Sequence, residues 1–199
     1  NSLDTLSAEI VGVSFAFDEH DGYYIPFSHN YPDVPPQLNR DHVLQLLKPF
    51  LESSNKIKIL QNAKFDMNVL KNVAIALAAP IIDTQLQSYV WRSTERHNMD
   101  ALAAKYLHTK TVTFEEIAGK GVKQILFNDI DLVNAAPYAA EDAVITWRLY
   151  ECFNAQFKPE PVLQTVLNEI ELPLVPVLAK LERQGVLIDA ALLHAQSAD

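Results

Sequence analysis

The feature that most constrains this chain is a repeated step from short apolar strand to helix between residues 56 and 92. Lys56-Ile57-Lys58-Ile59-Leu60 alternates like a strand and stops at Gln61-Asn62, after which Phe65, Val69, Leu70 and Val73 recur at helical spacing over residues 63–75. Ile81-Ile82-Asp83-Thr84 reads as a second short strand ending in a helix cap, and residues 85–92 continue as helix. Such alternation commits the chain to an α/β layer in which helices pack on strands. Upstream, residues 10–17 and 23–27 read as a β-hairpin around the polar connection 18–22. A Pro-rich loop over 31–36 leads to caps at Asn39-Arg40-Asp41 and a helix over 42–51, whose Val43, Leu46, Leu47 and Phe50 form a stripe expected to be buried. Residues 1–9 read as a loop.

Beyond the repeat, the pattern predicts helices over 99–107 and 114–118, the latter stopping at Gly119, and a long helix from Asp131 to about Phe153. Gly119-Lys120-Gly121 is not a nucleotide loop, because it lacks the four-residue spacer and the Ser or Thr after the lysine. Lys158-Pro159-Glu160-Pro161 breaks the helix and marks the expected domain boundary, dividing the chain into 1–157 and 158–199. Helical spacing resumes over 162–184 around Pro173 and Pro176 and ends at Gly185, and the tail from Val186 reads as a short strand followed by a helix.

With 199 residues, 49% of them hydrophobic, the chain can bury one full core. Its single cysteine, Cys152, reads as a structural thiol of a reducing compartment. The run Val73 to Ile82 is about half the length a bilayer demands, so the expectation is a cytoplasmic protein with no membrane partner. A formal charge of −9 argues against a broad basic face that grips duplex DNA. It leaves nucleic acid open, since divalent cations in an acidic site present a positive field to phosphate.

The acidic residues of interest stand at strand ends and helix starts. Asp66 follows Asn62 by four residues, Asp83 ends the second strand of the repeat, and Tyr138 and Asp142 share a helical face in an alanine-rich stretch. Hard carboxylate oxygens of this kind suit Mg²⁺ or Mn²⁺, and a paired site can activate water and stabilise a departing alkoxide on a phosphodiester. Spacing alone also admits a surface carboxylate at Asp142 and a helix cap at Asp83.

Gln61-Asn62-Ala63-Lys64-Phe65-Asp66 resembles the Asn-x-x-x-Asp motif of proofreading exonucleases, and Tyr138-Ala139-Ala140-Glu141-Asp142 resembles their Tyr-x-x-x-Asp motif. His97 to Leu102, Thr113 to Gly121 and Glu171 to Leu178 resemble the bacterial family A DNA polymerases in particular. The resemblance runs nearly end to end and implies a ribonuclease H-like exonuclease fold, with a mixed sheet lacking its first strand, followed by the first helices of a polymerase region.

Carried over by position, the resemblance implies that Asp142 ligates a catalytic metal ion, that Asp66 supports a second one, and that the Tyr138 hydroxyl orients the attacking water. It implies two divalent ions, Mg²⁺ or Mn²⁺ with Zn²⁺ as a further candidate. The implied partners are a single-stranded DNA 3′ end and, for the whole polymerase, primer-template DNA, bound by a monomer in the bacterial cytoplasm. Leu3 would wedge beside the terminal base, Phe114 would stack on the frayed strand, and Asn62 and Arg96 would touch the strand or its phosphates. A loop residue at Leu3, a core aromatic at Phe114 and a solvated charge at Arg96 are the structural alternatives. The family's first motif, Asp-x-Glu on a central strand, would fall immediately before Asn1, and neither Asp4 nor Glu9 replaces it. Residues 1–199 alone are therefore expected to be inactive or nearly so. The competing classes are a catalytically silent DNA-binding module and a stand-alone 3′-5′ ribonuclease of the same fold.

Overall fold

The computed structural model describes residues 2–198, so Asn1 and Asp199, which the sequence pattern assigns to a loop and a helix, lie outside the described residues. In chain order the elements are β1 (Gly12–Ala16), β2 (Gly22–Pro26), α1 (Arg40–Leu51), β3 (Lys58–Leu60), α2 (Ala63–Lys71), β4 (Ile81–Asp83) and α3 (Thr84–Trp91). Then come α4 (Met99–Leu102), which continues as a π-helix over Ala103–Leu107, the short α5 (Phe114–Ala118) and the long α6 (Leu132–Phe157). The chain closes with α7 (Pro161–Thr165), a π-helical stretch Val166–Glu171, α8 (Leu172–Gln184) and α9 (Ala190–Ala198).

The hairpin β1–β2 is antiparallel, with Gly12 opposite Pro26 and Ala16 opposite Gly22. β3 and β4 pair in parallel, Lys58 opposite Ile81 and Leu60 opposite Asp83, with α2 as the crossover between them. Both pairings of a mixed sheet are thus present, but among the described residues they form two separate two-stranded sheets. α6 lies against β1, β2 and β3 and serves as the common backing of both sheets. Its first half can approach closely because it is rich in alanine, with Ala135 and Ala139 buried. Gly22 completes the fit: a Cβ there would stand 2.2 Å from the Ala140 carbonyl oxygen, a backbone atom with no rotamer to change. The second half of α6 is conventionally apolar, and Ile145, Leu149, Phe153 and Phe157 form a cluster with Leu102, Ala103 and Leu167.

The expected hairpin, the α2 and α3 crossings, α5 with its stop at Gly119 and the long helix are all present, the last extending to Phe157. Three details differ. On α1, Val43 and Leu44 are buried while Leu46 and Phe50 are 67% and 42% exposed, because the helix docks by its 43–47–51 edge onto Ile10, Phe27 and Ile75. The predicted strand after Val186 is absent among the described residues, where Val186 and Leu187 stand fully exposed with no strand to pair with. Pro173 and Pro176 do not interrupt the helix, which runs unbroken from Pro161 to Gln184 through its π-helical stretch.

That 24-residue run is long and apolar enough to cross a membrane by length and composition. In this fold it is a docked surface helix. Leu167 joins the α6 cluster, Val175 packs with Ala63, Leu77 and Ile81, and Arg183 donates to the Asn68 carbonyl at 2.8 Å. The same helix anchors the N-terminal loop, since Thr5 Oγ1 donates to Glu182, which also pairs with Lys64 of α2 at 2.6 Å.

Gly22→Ala is expected to destabilise the fold by about 2–3 kcal/mol, since neither backbone can yield without moving α6 off the hairpin. Chemical denaturation monitored by circular dichroism measures it, and a loss under about 0.5 kcal/mol would contradict the close approach.

Candidate active site

At the carboxyl ends of β3 and β4 one buried carboxylate organises two helix starts. Asp83, 3% exposed, accepts hydrogen bonds from the backbone N–H groups of Gln85 and Leu86 at the start of α3. It also reaches across to accept from Asn62 N at 3.1 Å and Ala63 N at 2.7 Å at the start of α2. Burial raises the Asp83 pKa while these N–H donors work in the opposite direction. The capping alternative for Asp83 is therefore the one the geometry realises.

This cross-strand capping frees Asn62. It occupies the left-handed region, φ 67°, which asparagine tolerates better than most residues, and its side chain makes no capping bond and remains exposed. One turn later Asp66 stands half-buried near Asp83. Burial, followed by the Asp83 charge, pushes its carboxyl up to about 7. No ion pair with lysine or arginine balances it among the described residues.

The second group sits on α6. Tyr138 and Asp142 stand one turn apart on α6, as their spacing predicts, with the Tyr138 hydroxyl near enough to the carboxylate to lower its pKa. Asp142 is pushed up to about 7, first by burial and then by the charges of Asp100 and Glu141, against the lowering effect of the Tyr138 hydroxyl. Burial, followed by the Asp142 charge, raises the Tyr138 pKa as well, so the ring stays a neutral phenol. Phe114 and Phe127 flank it, with ring centroids 6.2 Å and 6.1 Å away.

Phe114 is placed by a strap of residues 108–113 tied to α6 and α4. Val112 N donates to Glu141 Oε2 at 2.9 Å, Arg148 Nη2 donates to Thr109 Oγ1 at 3.3 Å, and Thr111 Oγ1 donates to Asp100 at 2.8 Å. Thr113 then opens α5 with a full capping box closed by Glu116. Phe127 is held from below by His29, whose Nδ1–H donates to the Ile130 carbonyl while its Nε2 accepts from the Tyr24 hydroxyl at 2.7 Å. Spacing marked neither Asp100 nor Glu141 as part of the site, although Glu141 lies inside the Tyr138–Asp142 motif.

The sequence-derived residues thus gather into two groups, Tyr138 with Asp142 and Phe114 on α6 and α5, and Asn62 with Asp66 at the β3–β4 ends. α6 also packs on β3, the strand that leads into the second group. Leu3 is 94% exposed on the N-terminal loop, and Arg96 is exposed in the turn before α4 with no ion pair among the described residues. Asp66 and Asp142, both half-buried and without an ion pair to a basic side chain among the described residues, offer hard oxygen donors of the kind divalent cations take. Among the described residues no three His, Cys, Asp or Glu side chains converge to hold one by themselves.

A family pattern described as 3′-5′ exonuclease matches residues 1–158. The chain is similar to DNA polymerase I of Pseudomonas aeruginosa, 52% identical over 98% of this chain and 22% of that protein. It is also similar to DNA polymerase I of Borreliella burgdorferi, 34% identical over 95% of this chain and 20% of that protein. The chain spans about a fifth of the length of these relatives. The solved POL domain of Pol1 from M. smegmatis, in complex with DNA primer-template and dNTP, shares its fold with a TM-score of 0.68 at 22% identity, covering 94% of this chain and 28% of that one.

Asp66 binds its proton more tightly folded than unfolded, so its contribution to stability is greatest below the ordinary carboxylate range and is lost as pH rises through about 7. Asp66→Asn is expected to flatten that fall and to stabilise the metal-free protein above neutral pH by about 1–3 kcal/mol, read from denaturation curves across pH. Glu141→Ala should release the strap and speed amide exchange in α5 by about fivefold, whereas Glu141→Gln, which keeps an acceptor, should stay near the parent value by hydrogen-exchange mass spectrometry.

Proposed function

The chain belongs to the 3′-5′ exonuclease family whose pattern covers residues 1–158, and from that membership we propose that it is the proofreading part of a bacterial family A DNA polymerase. Residues 158–199 then form the entry into the polymerase part, which carries out DNA-directed synthesis on primer-template DNA. The observation that carries this reading is Asp66 and Asp142, two half-buried carboxylates whose pKa values are raised and which have no ion pair to a basic side chain among the described residues.

Asp142 and Asp66 would hold two divalent ions, Mg²⁺ or Mn²⁺ with Zn²⁺ as a further candidate, which when bound supply an activated water and charge stabilisation for the departing 3′ oxygen. The remaining work falls to side chains of this chain. Tyr138, kept neutral by its surroundings beside Asp142, offers an oxygen lone pair that orients the attacking water. Phe114, braced against Tyr138, provides a ring on which an unpaired terminal base stacks, and exposed Leu3 wedges beside that base. The exposed Asn62 amide meets the sugar-phosphate backbone and Arg96 a phosphate. An overall charge of −9 disfavours a tight nonspecific hold on duplex, which suits an enzyme that accepts only a frayed single-stranded end, acting as a monomer in the cytoplasm.

The absence of a three-carboxylate group among the described residues fits a site that needs the Asp-x-Glu strand of the family as well. Residues 1–199 by themselves are then binders of a strand end with little turnover. The test uses a 5′-labelled single strand and Mn²⁺, with the isolated chain and with a form joined to an upstream Asp-x-Glu strand. Stepwise shortening from the 3′ end is expected of the joined form, falling by at least about a hundredfold in Asp142→Ala. No shortening by a folded joined form would overturn the reading.

A further inference from the structure

A cavity of about 260 Å³ opens between α3 and the end of the π-helical stretch before α8, lined by Gln85, Leu86, Tyr89, His97 and Glu171. Tyr89 is 47% exposed although it sits on a helix with one buried face, so its ring is presented rather than packed away. His97 stands edge-on to that ring, with centroids 5.4 Å apart at 70°. The histidine is fixed in place by a hydrogen bond between Nδ1 and Ser88 Oγ at 2.9 Å. Its carbonyl accepts from Gln61 Nε2 at 3.0 Å, and the other end of the Gln61 amide accepts from the Thr84 hydroxyl. Gln61 immediately precedes Asn62, so one side chain couples the cavity wall to the start of α2, where Asn62 and Asp66 stand.

The wall chemistry selects its ligand. A ring and Leu86 suit a flat apolar face, while an amide at Gln85 and a carboxylate at Glu171 suit in-plane donors and acceptors. The carboxylate disfavours phosphate in the cavity itself, whereas Arg96, next in the chain to His97, is exposed and without an ion pair among the described residues. A planar, neutral, hydrogen-bonding group attached to a phosphate that remains outside satisfies both conditions.

We propose that this cavity is a second nucleobase subsite, taking an unpaired base of the strand upstream of the end held near Asn62 and Asp66. The base stacks on Tyr89, Gln85 and Glu171 meet its edge, and its phosphate faces Arg96. Because Glu171 accepts but cannot donate, the subsite prefers bases that carry an exocyclic amino group, cytosine, adenine or guanine, over thymine, which has none. The inference rests on the functional reading above and adds a binding determinant that the carboxylate groups do not contain.

Binding of 5′-fluorescent oligodeoxynucleotides to the full chain, followed by anisotropy, tests it. Tyr89→Ala is expected to weaken a hexacytidylate by about 5–20-fold while leaving a dicytidylate, too short to span both places, unchanged. Tyr89→Phe should retain the parent affinity, and Glu171→Gln should erase the preference for hexacytidylate over hexathymidylate. Equal hexamer binding by the parent and a folded Tyr89→Ala overturns the subsite, as does an equal loss for dimer and hexamer. Failure of the parent chain to bind any of these strands overturns the functional reading, and the subsite with it.

Discussion

The Asp83 carboxylate is the contact on which the rest of the site depends. A parallel strand pair ends with unpaired N–H groups wherever a helix follows each strand, and here both helices begin within reach of one side chain. By capping its own helix and the neighbouring one, Asp83 fixes the start of α2 relative to the start of α3 without any bond between the helices themselves. The consequence reaches Asn62 and Asp66 together. The first is relieved of the capping task its residue type would normally perform, and the second is set one turn further along a helix whose origin cannot drift.

α6 performs the corresponding service for the other half of the site, with different means. It presents Tyr138 and Asp142 from one face and uses Glu141 and Arg148 to hold the 108–113 strap that carries Phe114. One rigid element therefore sets both the Asp142 carboxylate and the aromatic wall that faces Tyr138. The cost of partly burying Asp66 and Asp142 is set against apolar packing elsewhere, by Phe153 and Leu149 further down α6 and by Val175 of α8.

Much of this was legible in the residues. The period-two and period-3.6 patterns located the hairpin, the β3–α2–β4 crossover and α6; Tyr138 and Asp142 lie one turn apart on α6, while Asn62 sits just before α2 and Asp66 in its first turn. What sequence pattern could not supply was anything set by packing between distant elements. The buried edge of α1 depends on where Ile75 and Phe27 arrive, and the division of the sheet into two pairs depends on which strands meet. The roles of Asp100 and Glu141 were hidden for the same reason, because a bond from Thr111 or Val112 has no signature in local spacing. Local propensity also misjudged the prolines of α8: the helix continues through both Pro173 and Pro176, with a change to π-helical hydrogen bonding directly ahead of Pro173.

Gly22 gives the hairpin a further part to play. Its bare Cα meets the Ala140 carbonyl, and Ala140 stands two positions before Asp142. Sliding α6 by one residue would carry the helix about 1.5 Å along its axis and turn it by roughly a quarter turn, bringing a different backbone group to that point and Asp142 to a different face. The hairpin thus acts as a gauge block against which the helix is indexed, and its accuracy comes from an atom that is missing. Sequence drift elsewhere on β1 and β2 can change what the sheet looks like to solvent, but the dimension that aims the carboxylate is written in a single position.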